Sequence, residues 1–192
     1  MRIHQLSASY EAIHDRILLR INTHEGQQLQ LWFTQRLLRQ LLPSLLRLEQ
    51  QLALQSAAAA NPQKTQNHSP EAQAMLADLK REEFLQRSDF ATPYREPKPA
   101  QAEAALQTFL LTQVRLSMAA ETQITVDFEE QLEQDAPQRQ LQLQLTAEIY
   151  IGMVDLLKRS VLLAQWPGML AELSLYTPSP DATGTDQDLH LW

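Results

Sequence analysis

The sequence predicts an α+β fold: a mainly antiparallel β-sheet covered by long α-helices. Three observations carry that expectation. Apolar and polar residues alternate over Ile17–Phe33 and again over Val114–Leu145, the signature of half-buried strands. The period then lengthens to that of a helix at Thr34 and at Thr146. Finally, the two junctions can be laid over each other at an offset of 112 residues. The reading is a β-β-β-α unit that occurs twice, as a duplication would produce.

The elements follow in order. Arg2–Ser9 is a first, weaker strand. Ile17, Leu19 and Ile21 share one parity, with Arg16 and Arg20 on the other. Leu29, Leu31 and Phe33 repeat the pattern against Gln28, Gln30 and Trp32. Between these runs, Asn22-Thr23-His24-Glu25-Gly26 offers residues that tolerate positive φ and suits a hairpin loop. Thr34 can cap the helix that follows. Leu37, Leu38, Leu41, Leu42, Leu45 and Leu46 form its apolar stripe, which extends to about Ala60. Pro43 lies inside that stripe and predicts a kink or a second helix start, because proline lacks a donor and clashes with the preceding turn.

Asn61–Pro70 has the composition of a linker. Ser69-Pro70-Glu71 is a helix start, and a modest helix is expected through Gln86. The prolines of Thr92–Pro99 predict an extended segment. Alternation returns in Val114–Met118, Ile124–Phe128 and Leu141–Leu145, and Ile149, Met153, Leu157 and either Ser160 or Val161 form the second helical stripe. Trp166-Pro167-Gly168 ends it. The expected organisation is 1–60 as the first unit, 61–107 as linker and helical insertion, and 108–176 as the second unit. The remainder, 177–192, is expected to be a disordered acidic tail. Leu and Gln together make up roughly a third of the chain, so part of the likeness between the units reflects composition.

Composition removes several function classes. The 192 residues carry 16 Lys+Arg against 23 Asp+Glu, a net charge of −7, which disfavours bulk attraction to nucleic acid or an anionic membrane. With no Cys, thiolate metal sites, iron–sulfur clusters and cysteine nucleophiles are excluded. Four Gly are too few for a phosphate-cradling loop. The N-terminus, Met1-Arg2-Ile3-His4-Gln5-Leu6-Ser7, does not read as a secretory signal, and no apolar run has the length of a bilayer span. A cytoplasmic, non-membrane protein is expected. No standard catalytic signature occurs, and no cofactor is expected. His4, His14 and His24 recur every ten residues but lack a carboxylate pair with ligand spacing, so they read as surface histidines. Asp127, Glu129, Glu130, Glu133 and Asp135 lack the order of a calcium loop and read as a solvated strand end.

Three features suggest binding surfaces. Residues 1–60 hold six Arg and four acids, whereas 109–165 hold four bases and eight acids, so the halves complement one another. The polar parity of the first sheet holds Arg16, Arg20, Gln28, Gln30 and Trp32, a face able to stack a nucleobase, to pack under the insertion or to meet a second copy. The third feature is the C-terminus, where Leu189, Leu191 and Trp192 end an acidic stretch. Those last five residues resemble the short bacterial sliding-clamp-binding peptide of Gln-Leu-x-Leu-Phe type, with Asp188 in place of the preferred Gln. The resemblance implies a clamp partner; the alternative is that the tail folds back on its own domain.

The expected function is that of a non-enzymatic interaction or adaptor protein of the bacterial cytoplasm. A protein partner and a homodimer are both anticipated. The competing reading is a nucleic-acid-associated protein that uses the Arg/Trp face or the clamp-binding peptide. The residues proposed to bind a partner are Arg16, Arg20, Trp32, Leu189, Leu191 and Trp192.

Overall fold

The computed structural model describes residues 2–60, 70–87, 106–120, 123–133, 135, 137–169 and 173. Strands β1 (Ile3–Glu11), β2 (Arg16–Thr23) and β3 (Gln28–Thr34) lead into helix α1 (Gln35–Ala60). Helix α2 (Pro70–Arg87) and strand β4 (Leu106–Leu110) follow. Strands β5 (Gln113–Ala120), β6 (Gln123–Glu130) and β7 (Arg139–Thr146) then lead into helix α3 (Ala147–Ala164). The strands form two sheets, β1-β2-β3-β4 and β5-β6-β7, in which every pair is antiparallel except β3–β4. The fold is α+β, as the periodicity predicts.

The two strand–helix junctions are built alike. Thr34 Oγ1 accepts from the Leu37 N–H and Thr146 Oγ1 from the Ile149 N–H, which satisfies one of the free donors at each helix start. The ladders correspond as well. Ile17 sits between Tyr10 and Phe33, and Ile124 between Met118 and Leu145. Leu19 sits between Ala8 and Leu31, as Val126 does between Leu116 and Leu143. In both units the central member is fully buried.

These inward rows and the helices share one core. Phe33 and Phe128, one from each sheet, meet edge to face at 6.4 Å. Helix α3 runs through the middle, with Tyr150, Ile151, Met153, Val154, Leu157 and Val161 all buried. It packs on both sheets and on both other helices. Its Tyr150 hydroxyl donates to the Leu45 carbonyl of α1 at 3.0 Å; a buried hydroxyl needs such a partner. Gln165, at φ 49°, caps its C-terminus, and buried Trp166 follows.

Two features differ from expectation. Helix α1 passes through Pro43 as a single element. The proline forfeits one hydrogen bond, but Leu38, Leu41 and Leu42 before it and Leu45 and Leu46 after it are all buried in the same core, so the second helix start that Pro43 could have produced does not occur. Strand β4 was not anticipated. It lies parallel to β3, with Leu106 opposite Gln28 and Leu110 opposite Trp32. The chain then changes sheets at Leu111–Thr112. Leu111 N–H donates to the Trp32 carbonyl at 3.0 Å, and Thr112 N–H donates to the Glu129 carbonyl at 2.9 Å.

Beside the crossing, side chains replace backbone partners. The Leu110 N–H donates to Glu130 Oε1 at 2.6 Å. Arg139 donates to Glu130 Oε2 at 2.6 Å and to the Thr108 carbonyl at 3.0 Å. The same guanidinium lies 4.2 Å from the centre of the Phe109 ring. Glu130→Ala therefore strands a backbone donor and a cation at once. Urea denaturation should show a loss of about 2–3 kcal/mol, with Glu130→Gln losing less because its amide oxygen still accepts from Leu110.

Candidate functional site

The outer face of the first sheet gathers the residues singled out there. Register sets Arg20 opposite Gln30, Leu18 opposite Trp32 and Arg16 opposite Thr34, so Arg16, Arg20 and Trp32 share one face around Leu18. On the β1 side, Ser9 faces Leu18, Ser7 faces Arg20 and Glu11 faces Arg16. Leu18 is only 3% exposed although it lies outside the main core. Its burial is on this second face, among larger neighbours. Trp32 is half-buried, and the His14 ring meets it edge-on with centroids 5.3 Å apart.

The two arginines differ electrostatically. Arg20 donates to Ser9 Oγ at 2.8 Å and pairs with Glu11 at 3.3 Å. Ser9 in turn donates to Glu11 at 2.9 Å. This triad neutralises Arg20 and fixes its side chain. Arg16 has no ion pair among the described residues and remains half-exposed. The face thus offers a Trp and one uncommitted guanidinium on an ordered floor. Leu18, Ser9 and Glu11 were missed at the level of sequence. The available signal was Leu18 itself, an apolar residue in the polar parity of an alternating strand.

The other sequence candidates are dispersed. His4 and His24 meet at a tilt with centroids 4.8 Å apart at one end of the sheet, but His14 lies against Trp32. Among the described residues no group of three His, Asp or Glu is placed to hold a metal. Of the acidic run, Glu133 and Asp135 are exposed and Asp127 half-buried, but Glu129 and Glu130 are not solvated. Glu129 is 3% exposed; Arg115 lies 2.7 Å from one carboxylate oxygen and Gln138 donates to the other at 2.8 Å. Glu130 serves the sheet crossing. Arginines on the neighbouring strands answer these charges and allow their burial. Leu189, Leu191 and Trp192 lie outside the described residues, as do 61–69, 88–105 and 177–192.

A second polar cluster sits between the helices. Glu49 of α1 and Lys158 of α3 are 4% and 7% exposed, with Nζ and Oε2 3.5 Å apart. Glu49 Oε1 has no hydrogen-bond partner among the described residues. A cavity of about 30 Å³ adjoins the pair, bounded also by Arg81 and Ala77 of α2. Such a volume suits a water molecule or two and no metabolite. Both charged residues fall in phase with the apolar stripes of their helices, Glu49 after Leu42, Leu45 and Leu46, and Lys158 between Val154 and Val161; that phasing is how a sequence betrays a buried charge.

A third network ties the first turn to the end of α3. Asp15, at φ 50°, accepts from Trp166 Nε1 at 2.6 Å and from the Tyr10 hydroxyl at 2.9 Å. The Trp166 and Tyr10 bonds hold the Asp15 carboxyl below its ordinary value. Among the described residues, no helix is long and apolar enough to cross a membrane. No family model, curated protein or solved structure matches the chain.

Burial raises the Glu49 carboxyl above its ordinary value of 4.5, against the opposing pull of Lys158 and Arg81. The folded chain therefore holds this proton more tightly than the unfolded chain. The associated stability is full below pH 4.5 and is lost as pH rises through the raised value. Urea midpoints measured from pH 4 upward should show wild type losing ground to Glu49→Gln as the carboxyl ionises. A constant difference across that range would exclude Glu49 as the titrating group.

Proposed function

We propose that the protein is a non-enzymatic interaction protein of the bacterial cytoplasm, and that the outer face of its first sheet receives a protein partner. The observation that carries this reading is the half-buried Trp32 and uncommitted Arg16 on a face that Arg20, Ser9 and Glu11 hold in place. Trp and Arg are the residues most often found as energetic anchors at protein interfaces. An ordered floor lowers the entropy lost on association.

The nucleic-acid alternative draws less support from the same face. Arg20 is already answered by Glu11, which leaves Arg16 as the cation of this face without an ion pair among the described residues. The chain as a whole carries −7, and single-strand binding needs a basic groove as well as a stacking ring. The sliding-clamp peptide stays a separate proposal, independent of this face.

A photo-reactive amino acid at Gln30, in native host cells, tests the reading. It should cross-link to a protein, and Trp32→Ala should weaken that protein's binding by about thirtyfold, the effect of losing a 2 kcal/mol anchor. Thermal melts check that the variant stays folded. Cross-links to nucleic acid alone would overturn the proposal. So would a partner whose affinity is unchanged by both Trp32→Ala and Arg16→Ala.

A further inference from the structure

The two sheets end in four strand edges, and these are not alike. The β1 ladder is irregular between Ile3 and Gln5, and β1 ends on Glu11. The β5 ladder is irregular between Met118 and Ala120, with Arg115 within the strand. The edge of β4 is met by the side chains of Glu130 and Arg139. Irregular ladders, charges and covering groups are the devices by which sheets discourage an added strand.

Apart from Arg139 at its start, strand β7 has none of them. Its ladder with β6 is regular from Arg139 to Thr146. It contains no Pro and no Lys, and after Arg139 no charge. Among the described residues, no strand lies on its outer side. By register, β7 corresponds to β3 of the first unit, and the same edge of β3 does carry an added strand, β4. The bare edge is thus in the place where this architecture takes another strand.

The sequence of β7 selects the occupant. Gln140-Leu141-Gln142-Leu143-Gln144-Leu145 alternates without exception. Turned about a twofold axis and paired antiparallel with itself, it sets Gln against Gln on one face and Leu against Leu on the other. This holds whether the axis passes at Gln142 or at Leu143. Gln ladders and apolar cross-strand pairs both favour such pairing. No like charges oppose each other. Leu141, half-buried while Leu143 and Leu145 are fully buried, gains the cover it lacks from a partner leucine. A self-complementary patch of this kind closes as a dimer.

We propose that β7 pairs antiparallel with β7 of a second copy of this chain, merging the two second sheets into one continuous sheet. The contact lies on a different sheet from the face around Trp32 and stands independently of the function proposed for that face.

The test uses the full chain. Gln142 and Gln144 are exposed on the outer face, where Gln142 donates to Asp127 at 2.7 Å and Gln144 accepts from Gln123 at 3.4 Å, so changing both to Lys, or both to Glu, leaves the core untouched and alters only these surface bonds. Either axis position then sets like charges opposite one another. In sedimentation equilibrium at micromolar protein, wild type should be a dimer. The double-Lys and double-Glu variants should each be monomeric, with association weakened about tenfold or more. An equimolar mixture of the two should recover the dimer. Circular dichroism confirms that each variant is folded. A monomeric wild type overturns the proposal, as does a dimer that survives either variant. If β7 amides are protected from exchange in a monomer and lose that protection on deletion of 188–192, the edge belongs to the chain's own tail and the proposal also fails.

Discussion

A strand that leaves one sheet for another must give up one row of backbone partners before it gains the next, and in this chain the Glu130 carboxylate spans the interval. One oxygen takes the Leu110 N–H and the other takes Arg139, which reaches back to the Thr108 carbonyl. At Leu110 and Thr108 the crossing strand therefore takes charged partners for its backbone groups. Everything on either side depends on this. β4 completes the first sheet only because its exposed edge is answered, and β5 begins the second sheet at the next residues. The shared core, with Phe33 against Phe128, follows from the two sheets being held edge to edge by the same stretch of chain.

The parts legible in the sequence were those with a single physical cause. Alternation at Ile17–Ile21, Leu29–Phe33, Ile124–Phe128 and Leu141–Leu145 reports a core-facing side on each strand, and all four runs are strands. The change of period at Thr34 and Thr146 reports a capped helix start, and both hydroxyls cap. Where two causes competed, the local signal misled. Pro43 carries a local penalty that buried leucines on both sides override. β4 is short, and Leu106, Gln107 and Thr108 are exposed; its place is set by a partner strand far away in sequence. Glu129 and Glu130 look solvated until Arg115 and Arg139 are seen across the ladder.

The same division holds at the outer face of the first sheet. That Arg16, Arg20 and Trp32 share a side followed from parity alone. That Arg20 is committed to Glu11 and Arg16 is not depends on which residues of β1 fall opposite which of β2, and one sequence does not contain that register. The difference matters chemically. Two unpaired guanidiniums beside a Trp would make the face strongly basic; with Arg20 answered by Glu11, the face carries less net positive charge around the buried Leu18. The helix-buried pair Glu49–Lys158 shows the converse. Its phasing with the apolar stripes was visible, but only the packing of α1 against α3 gives the phasing a meaning.

The parallel pairing of β3 with β4 also has a kinetic consequence. The β1–β2, β2–β3, β5–β6 and β6–β7 ladders join neighbours in the chain and can form as local meanders. The contact between Thr108 and Gln30 spans 78 residues. Closing so long a loop costs entropy that is recovered only when the whole strand is in register. Among the described strand ladders, β3–β4 is therefore the one whose formation carries the largest loop-closure entropy. Until β4 docks, the edge of β3 is open, and the ribosome-bound chain must reach past Leu110 before it can be closed.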